Sequence, residues 1–155
     1  MCSSDLHLLI WWSEYYVQPE GIRWSEEQQA AVHADALLRL AASGASVVFL
    51  WQPQAVGPSA GSRAVLWSDI RSPDGGRPSA TASAFALIGS VLHGDVVTRQ
   101  VDVSGDVSAL ATADWLLLVN RRATARPVRV NGVSYDLRAY EVRAIPVKGR
   151  LVRLT

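Results

Sequence analysis

His7-Leu8-Leu9-Ile10-Trp11-Trp12 is a nearly all-apolar run that passes without a break into Ser13-Glu14-Tyr15-Tyr16. Continuous apolarity over so short a length predicts a strand buried on both faces, as in a parallel sheet. With a period of two, Leu8, Ile10, Trp12 and Glu14 share one face, which puts a carboxylate at the carboxyl end of that strand. Outward from this run, Gln18-Pro19-Glu20-Gly21 reads as a loop. Ser25 then caps a helix, with Gln28 completing a capping box and Glu26 and Glu27 suiting the positive end of the helix dipole. Ala31, Ala34, Leu38 and Ala41 form its apolar stripe, and Gly44 is the expected stop. Ser46-Val47-Val48-Phe49-Leu50 is a second apolar strand, ending in Trp51-Gln52-Pro53. Strand, helix and strand together predict a parallel βαβ unit.

The remainder divides by period. Residues 54–63 are rich in Gly, Pro and Ser and predict a loop; residues 64–67 could extend briefly, and 72–79 are turn material. A second helix is expected over 80–93, with Ser79 as its cap and Gly94 as its stop. After Gly94 the period changes to two. Val97, Arg99, Val101 and Val103 share a face, residues 115–119 form a buried strand, and Val128/Val130, Tyr135/Leu137 and Val142 mark further strands. Asn131-Gly132 predicts a hairpin turn, and residues 151–154 a last strand. The fold expected is α/β over residues 7–94 followed by an all-β module over 95–155, an antiparallel β-sandwich.

Composition narrows the function classes. A chain of 155 residues with 49% hydrophobic residues can bury the core of an ordinary domain. No apolar run approaches the ~20 residues of a membrane helix, so no membrane partner is expected. The N-terminus lacks the basic region of a signal peptide, and localisation is left open. The net charge of +1 suggests no polyanionic partner for the whole chain. Residues 1–70 carry three Arg and seven acids (−4), whereas 71–155 carry eleven Arg, one Lys and seven acids (+5). Fourteen Arg to one Lys, with abundant Ala, reads as the mark of a GC-rich genome more than of a selected surface. The basic residues are scattered singly, which argues against nucleic acid as a partner. One cysteine excludes an internal disulfide framework and a cysteine-based zinc site. His7, His33 and His93 have no ligand spacing, so neither a metal nor a cofactor is expected.

Met1-Cys2-Ser3-Ser4-Asp5-Leu6 resembles a translated sequencing adapter, GTG TGC TCT TCC GAT CT. On that reading residues 1–6 are an artefact, Cys2 is not native, and the reading frame starts inside a longer gene.

The chemistry is expected around Glu14. In (β/α) folds functional groups gather at the carboxyl ends of strands. Glu14 lies there among aromatic side chains, and Trp51 occupies the corresponding end one βα unit later. An indole covers the C–H face of a pyranose while a carboxylate meets the anomeric carbon. Tyr16 and Gln52 flank these two positions and complete the candidate substrate-binding set with Trp51.

These residues carry a resemblance. Trp11-Trp12-Ser13-Glu14-Tyr15-Tyr16, a helix, then Val47-Val48-Phe49-Leu50-Trp51, looks like strands seven and eight of a clan A glycoside hydrolase, a TIM-barrel retaining glycosidase of xylosidase-like type. The stretch Asp69 to Pro78 with its helix is similar to the last βα loop and closing helix, and the Asn120-Arg121 turn after an apolar strand recurs in the C-terminal sandwiches of such enzymes. The resemblance covers nearly all of 7–146 through short motifs. It implies the last βα units of a (β/α)8 barrel, incomplete here, followed by the sandwich. It also implies Glu14 as catalytic nucleophile and Trp51 as the floor of the sugar subsite. The acid/base partner would be a glutamate following Asn at the end of strand four, outside this chain. The chain is then a C-terminal fragment, inactive alone, whose parent takes a carbohydrate substrate.

Other residues weigh less. Glu20 reads as a surface charge, His33 and His93 as structural or exposed helix residues, and Gly75-Gly76 as a turn too short for a phosphate loop. Trp115 reads as sandwich core, and Arg121, Arg122 and Arg126 as decoration of an exposed hairpin. The competing function is a non-catalytic module, carbohydrate-binding or structural, carried by the β-sandwich. The oligomeric state is left open.

Overall fold

A computed structural model describes residues 10–17, 22–51, 54, 65–94, 97–101 and 106–148. The order of elements is β1 (Ile10–Tyr15), α1 (Glu26–Ala42), β2 (Ala45–Leu50), α2 (Ala80–Val91), β3 (Arg99–Val101), β4 (Val107–Ala111), β5 (Trp115–Asn120), β6 (Arg126–Val130), β7 (Val133–Leu137) and β8 (Val142–Pro146). They form three small sheets: β1-β2, β3-β4-β5-β8 and β6-β7. The first is parallel and the other two are antiparallel.

Local chemistry sets the helix ends. Ser25 accepts a hydrogen bond from the Gln28 amide at 3.2 Å, and Ser79 does the same for Ala82, also at 3.2 Å. Each satisfies an amide left unpaired in the first helical turn. The Ser79 hydroxyl also donates to the Val65 carbonyl, tying the start of α2 to the preceding loop. Gly44, at φ +88°, supplies the left-handed turn that takes α1 into β2. Asn131 and Gly132 both have positive φ, 50° and 82°, and join β6 to β7 as a two-residue type I′ hairpin.

The core lies on both faces of the four-stranded sheet. Ala31, Ala34 and Leu38 of α1 and Ile88 and Val91 of α2 pack with Leu110, Leu117 and Val119 on one face. The alternate residues Val107, Ala109, Ala111, Leu116, Leu118 and Ile145 face Val128, Val130 and Leu137 of the hairpin. Helices, sheet and hairpin thus stack as layers, and β5 is buried on both sides. Small residues on α1 let it approach both α2 and the sheet. The helices of the α/β segment and the strands that follow share one hydrophobic cluster across residue 94.

This architecture corrects the expected fold class. No barrel segment is formed: β1 and β2 pair only with each other among the described residues, and the remaining strands belong to small antiparallel sheets. The βα loop expected before α2 contributes isolated bridges, Trp67 to Gln54 and Trp67 to Pro78, rather than a further strand. Nor are β1 and β2 buried on both faces. Trp11 is 64% exposed and Phe49 52%, with Ile10 and Trp12 also exposed. An apolar run shows that a strand would gain from being covered, not that another layer covers it. The helical stripe Ala31/Ala34/Leu38 lies on one face as its spacing predicts, but what it meets is α2 and an antiparallel sheet. Residues 151–154, where a last strand was expected, lie outside the described residues.

At the end of β5, Asn120 is fully buried and makes a clamp. Its Nδ2 donates to the carbonyls of Thr124 and Arg138, both at 2.8 Å, and its Oδ1 accepts from the Arg122 amide at 3.0 Å. The turn after β5 is therefore held to the chain leaving β7 from inside.

Candidate functional site

β1 and β2 run parallel, so their carboxyl ends lie side by side, with Tyr15 in register with Leu50. The Trp51 amide donates to the Tyr15 carbonyl at 3.1 Å, extending the pairing one residue past β2. The two residues singled out as chemical, Glu14 and Trp51, therefore sit at neighbouring strand ends. Glu14 is exposed and makes no ion pair with a described residue. Trp51 is 44% exposed, and its ring meets Tyr16 edge-on, with centroids 6.1 Å apart and planes at 81°. This is the geometry that aromatic quadrupoles favour. Gln52, the fourth candidate, and Glu20 lie outside the described residues.

Behind this surface is a group that the sequence reading placed only as a structural or exposed helix residue. His33 of α1 is fully buried, with its ring 5.5 Å from Tyr15 and 5.7 Å from Tyr16. Neither ring nitrogen has a well-formed hydrogen bond to a described residue, and nor has the buried Tyr15 hydroxyl. Burial pushes the His33 pKa down to about 4, against a smaller opposing pull from the Val17 backbone, so the ring is neutral near pH 7. Burial pushes the Tyr15 phenol upward, which keeps it protonated. One signal pointed to His33: it stands three residues after Ala30 and four before Leu37, beside the buried stripe.

Several other carboxylates are engaged elsewhere. Asp35 accepts from Arg39 and from the Ser108 hydroxyl and faces Arg121 at 3.8 Å. Asp106 pairs with Arg122 at 2.6 Å and Arg126 at 3.6 Å, and the Arg122 hydrogen bond lowers its pKa. Glu141 pairs with Arg143 at 2.8 Å and Arg138 at 3.8 Å, and Glu26 with Arg77 at 3.0 Å. None of these acids is on β1 or β2. Much of the arginine excess of the C-terminal half is thus spent in local ion pairs, each of small energetic weight at the surface. Among the described residues no group of three or more His, Cys, Asp or Glu side chains could hold a metal ion. No helix among them is long and apolar enough to cross a membrane.

The aromatic residues of the β-rich half do not gather into a second platform. Trp115, expected in the core, is 37% exposed at the start of β5, whereas Tyr135 packs against the hairpin cluster and Tyr140 against the helix-facing one. No protein-family model, curated protein or solved structure matches this chain. The resemblance to glycoside hydrolases accordingly stands on the residues quoted for it.

Proposed function

We propose that this chain carries the nucleophile side of a retaining glycoside hydrolase site, with Glu14 as nucleophile and Trp51 and Tyr16 as the platform for one pyranose ring. The observation that supports this reading best is the half-buried Tyr16 against the exposed Trp51, at the ends of the two parallel strands of which the first carries Glu14. An exposed indole offers a flat apolar face to sugar C–H groups, and the tyrosine edge restricts its tilt. A carboxylate next to such a platform can approach the anomeric carbon of the sugar resting there. Gln52 follows Trp51 directly and belongs to the same proposed set.

In the proposed reaction a Glu14 oxygen forms a bond to the anomeric carbon as the bond to the leaving oxygen breaks. A second carboxylic acid protonates that oxygen. The resulting carboxylate then takes a proton from water, which attacks the same carbon and releases Glu14. Retaining enzymes hold the two carboxyl groups about 5–5.5 Å apart. Glu26, Asp35, Asp106 and Glu141 are engaged in ion pairs on other elements, and the resemblance assigns the second group to a glutamate that follows Asn on another strand. The 155-residue chain alone is then a binder without turnover.

Titration with methyl β-xyloside and short xylo-oligosaccharides, followed through the indole N–H resonance of Trp51, tests this reading. The expected result is a saturable shift in the millimolar range, abolished in Trp51→Ala and kept in Glu14→Gln. A response confined to Trp115, or none at Trp51 with any pyranoside, would overturn the assignment.

A further inference from the structure

Tyr15 and Tyr16 are consecutive, and in a continuing strand their side chains would leave opposite faces. Here both rings lie against the one ring of His33, at 5.5 and 5.7 Å. This is possible because β1 ends at Tyr15 and its pairing with β2 is irregular between Trp12 and Tyr15. The irregular stretch includes Glu14. We propose that His33 is a positioning residue: its buried ring brackets Tyr15 and Tyr16, and so fixes both the strand end bearing Glu14 and the tyrosine edge on which Trp51 rests.

Three observations support the bracket. His33 is fully buried, so its ring has a fixed place in the body of the protein rather than on a mobile surface. The ring meets the two tyrosines through its faces and edges, and its polar interaction is with the Val17 backbone, the residue next to Tyr16. The series His33, Tyr16, Trp51 is continuous, running from the buried side of α1 to the exposed end of β2. A helix anchored in the core thereby sets the angle of an exposed indole at the end of the next strand. The purpose assigned to the bracket rests on the proposed sugar site, but its existence does not.

The test uses the full chain labelled with 5-fluorotryptophan, with the Trp51 and Trp115 resonances assigned from Trp51→Phe and Trp115→Phe. In His33→Ala the Trp51 resonance is expected to move and broaden while Trp115, on β5, stays in place and reports an intact core. His33→Phe, which keeps a ring against both tyrosines and gives up the interaction with the Val17 backbone, should restore the Trp51 signal. His33→Leu, which fills the space without a ring, should not, and it carries the test if the alanine variant does not fold. With methyl β-xyloside added, loss of two aromatic contacts should weaken the Trp51 response roughly tenfold in His33→Leu. An unchanged Trp51 resonance in both His33→Ala and His33→Leu would overturn the bracket. A moved Trp51 resonance in a chain that answers no sugar would uphold the bracket and remove the sugar site.

Discussion

Replacing Leu117 by alanine is expected to lower the free energy of unfolding by about 3–4 kcal/mol. Leu117 is fully buried at the middle of β5, paired on one side with Leu110 of β4 and on the other with Ala144 of β8. It belongs to the cluster in which Ala31, Ala34 and Leu38 of α1 meet Ile88 and Val91 of α2. Two of its α1 neighbours are already alanines, and the strand is hydrogen-bonded along both edges. Little can therefore move inward to fill the space, and the effect should lie in the upper part of the usual range for such truncations. Urea unfolding should show a lower midpoint at unchanged slope. Val133→Ala, on an exposed site at the hairpin turn, should change stability by less than about 0.5 kcal/mol. A loss below about 1 kcal/mol at Leu117 would mean that helices and sheet do not share a packed core.

Acid should destabilise the protein through His33 in a defined window. The folded-state pKa of about 4 lies below the ordinary 6.5, because burial disfavours the charged ring. Between these values the unfolded chain binds the proton and the folded chain does not, so stability falls as the pH is lowered from about 6.5 to about 4. It levels off below that as far as this group is concerned. The full displacement corresponds to about 3 kcal/mol. Asp106 and Glu27 are held below their ordinary carboxylate values by hydrogen bonds, so their contributions are lost as the pH falls through their own lower folded pKa values. Urea midpoints at closely spaced pH values, for the natural chain and for His33→Phe, separate the two effects. The phenylalanine variant should lose the slope between pH 6.5 and 4 and keep the carboxylate-dependent part. Equal slopes in both proteins would contradict the burial of a neutral His33.

Much of the local structure was legible because it follows from short-range chemistry. Ser25 and Ser79 cap helices, Asn131-Gly132 turns a hairpin, and β1 pairs parallel with β2, all as composition and spacing predicted. The run from Leu116 to Asn120 is buried throughout, as its apolarity required. Strand β4 was not anticipated. Val107-Ser108-Ala109-Leu110-Ala111 is poor in the β-branched and aromatic residues that mark strands. It is central because small side chains fit between two layers, and Ser108 reaches Asp35 on α1. The barrel expectation failed for a different reason. Apolar strands and an amphipathic helix state what must be covered, and they leave open what does the covering. That Glu14 and Trp51 end neighbouring strands, with Tyr16 beside Trp51, could be read from the parallel pairing alone. His33 could not, because its contact with both tyrosines depends on the irregular pairing at the end of β1 and on the phase of α1.

The assignment of Glu14 as nucleophile is tested most directly by covalent trapping. A 2-deoxy-2-fluoro-β-xylosyl fluoride carries a leaving group that departs without protonation, so the carboxylate and the aromatic platform suffice for the first step, and the fluorine slows release. Intact-mass measurement and peptide mapping of the 155-residue chain are expected to show one added fluoroxylosyl group on Glu14, none in Glu14→Gln, and no steady turnover of aryl β-xylosides. Absence of the adduct at reagent concentrations that saturate Trp51, or its attachment at another residue, would contradict the account.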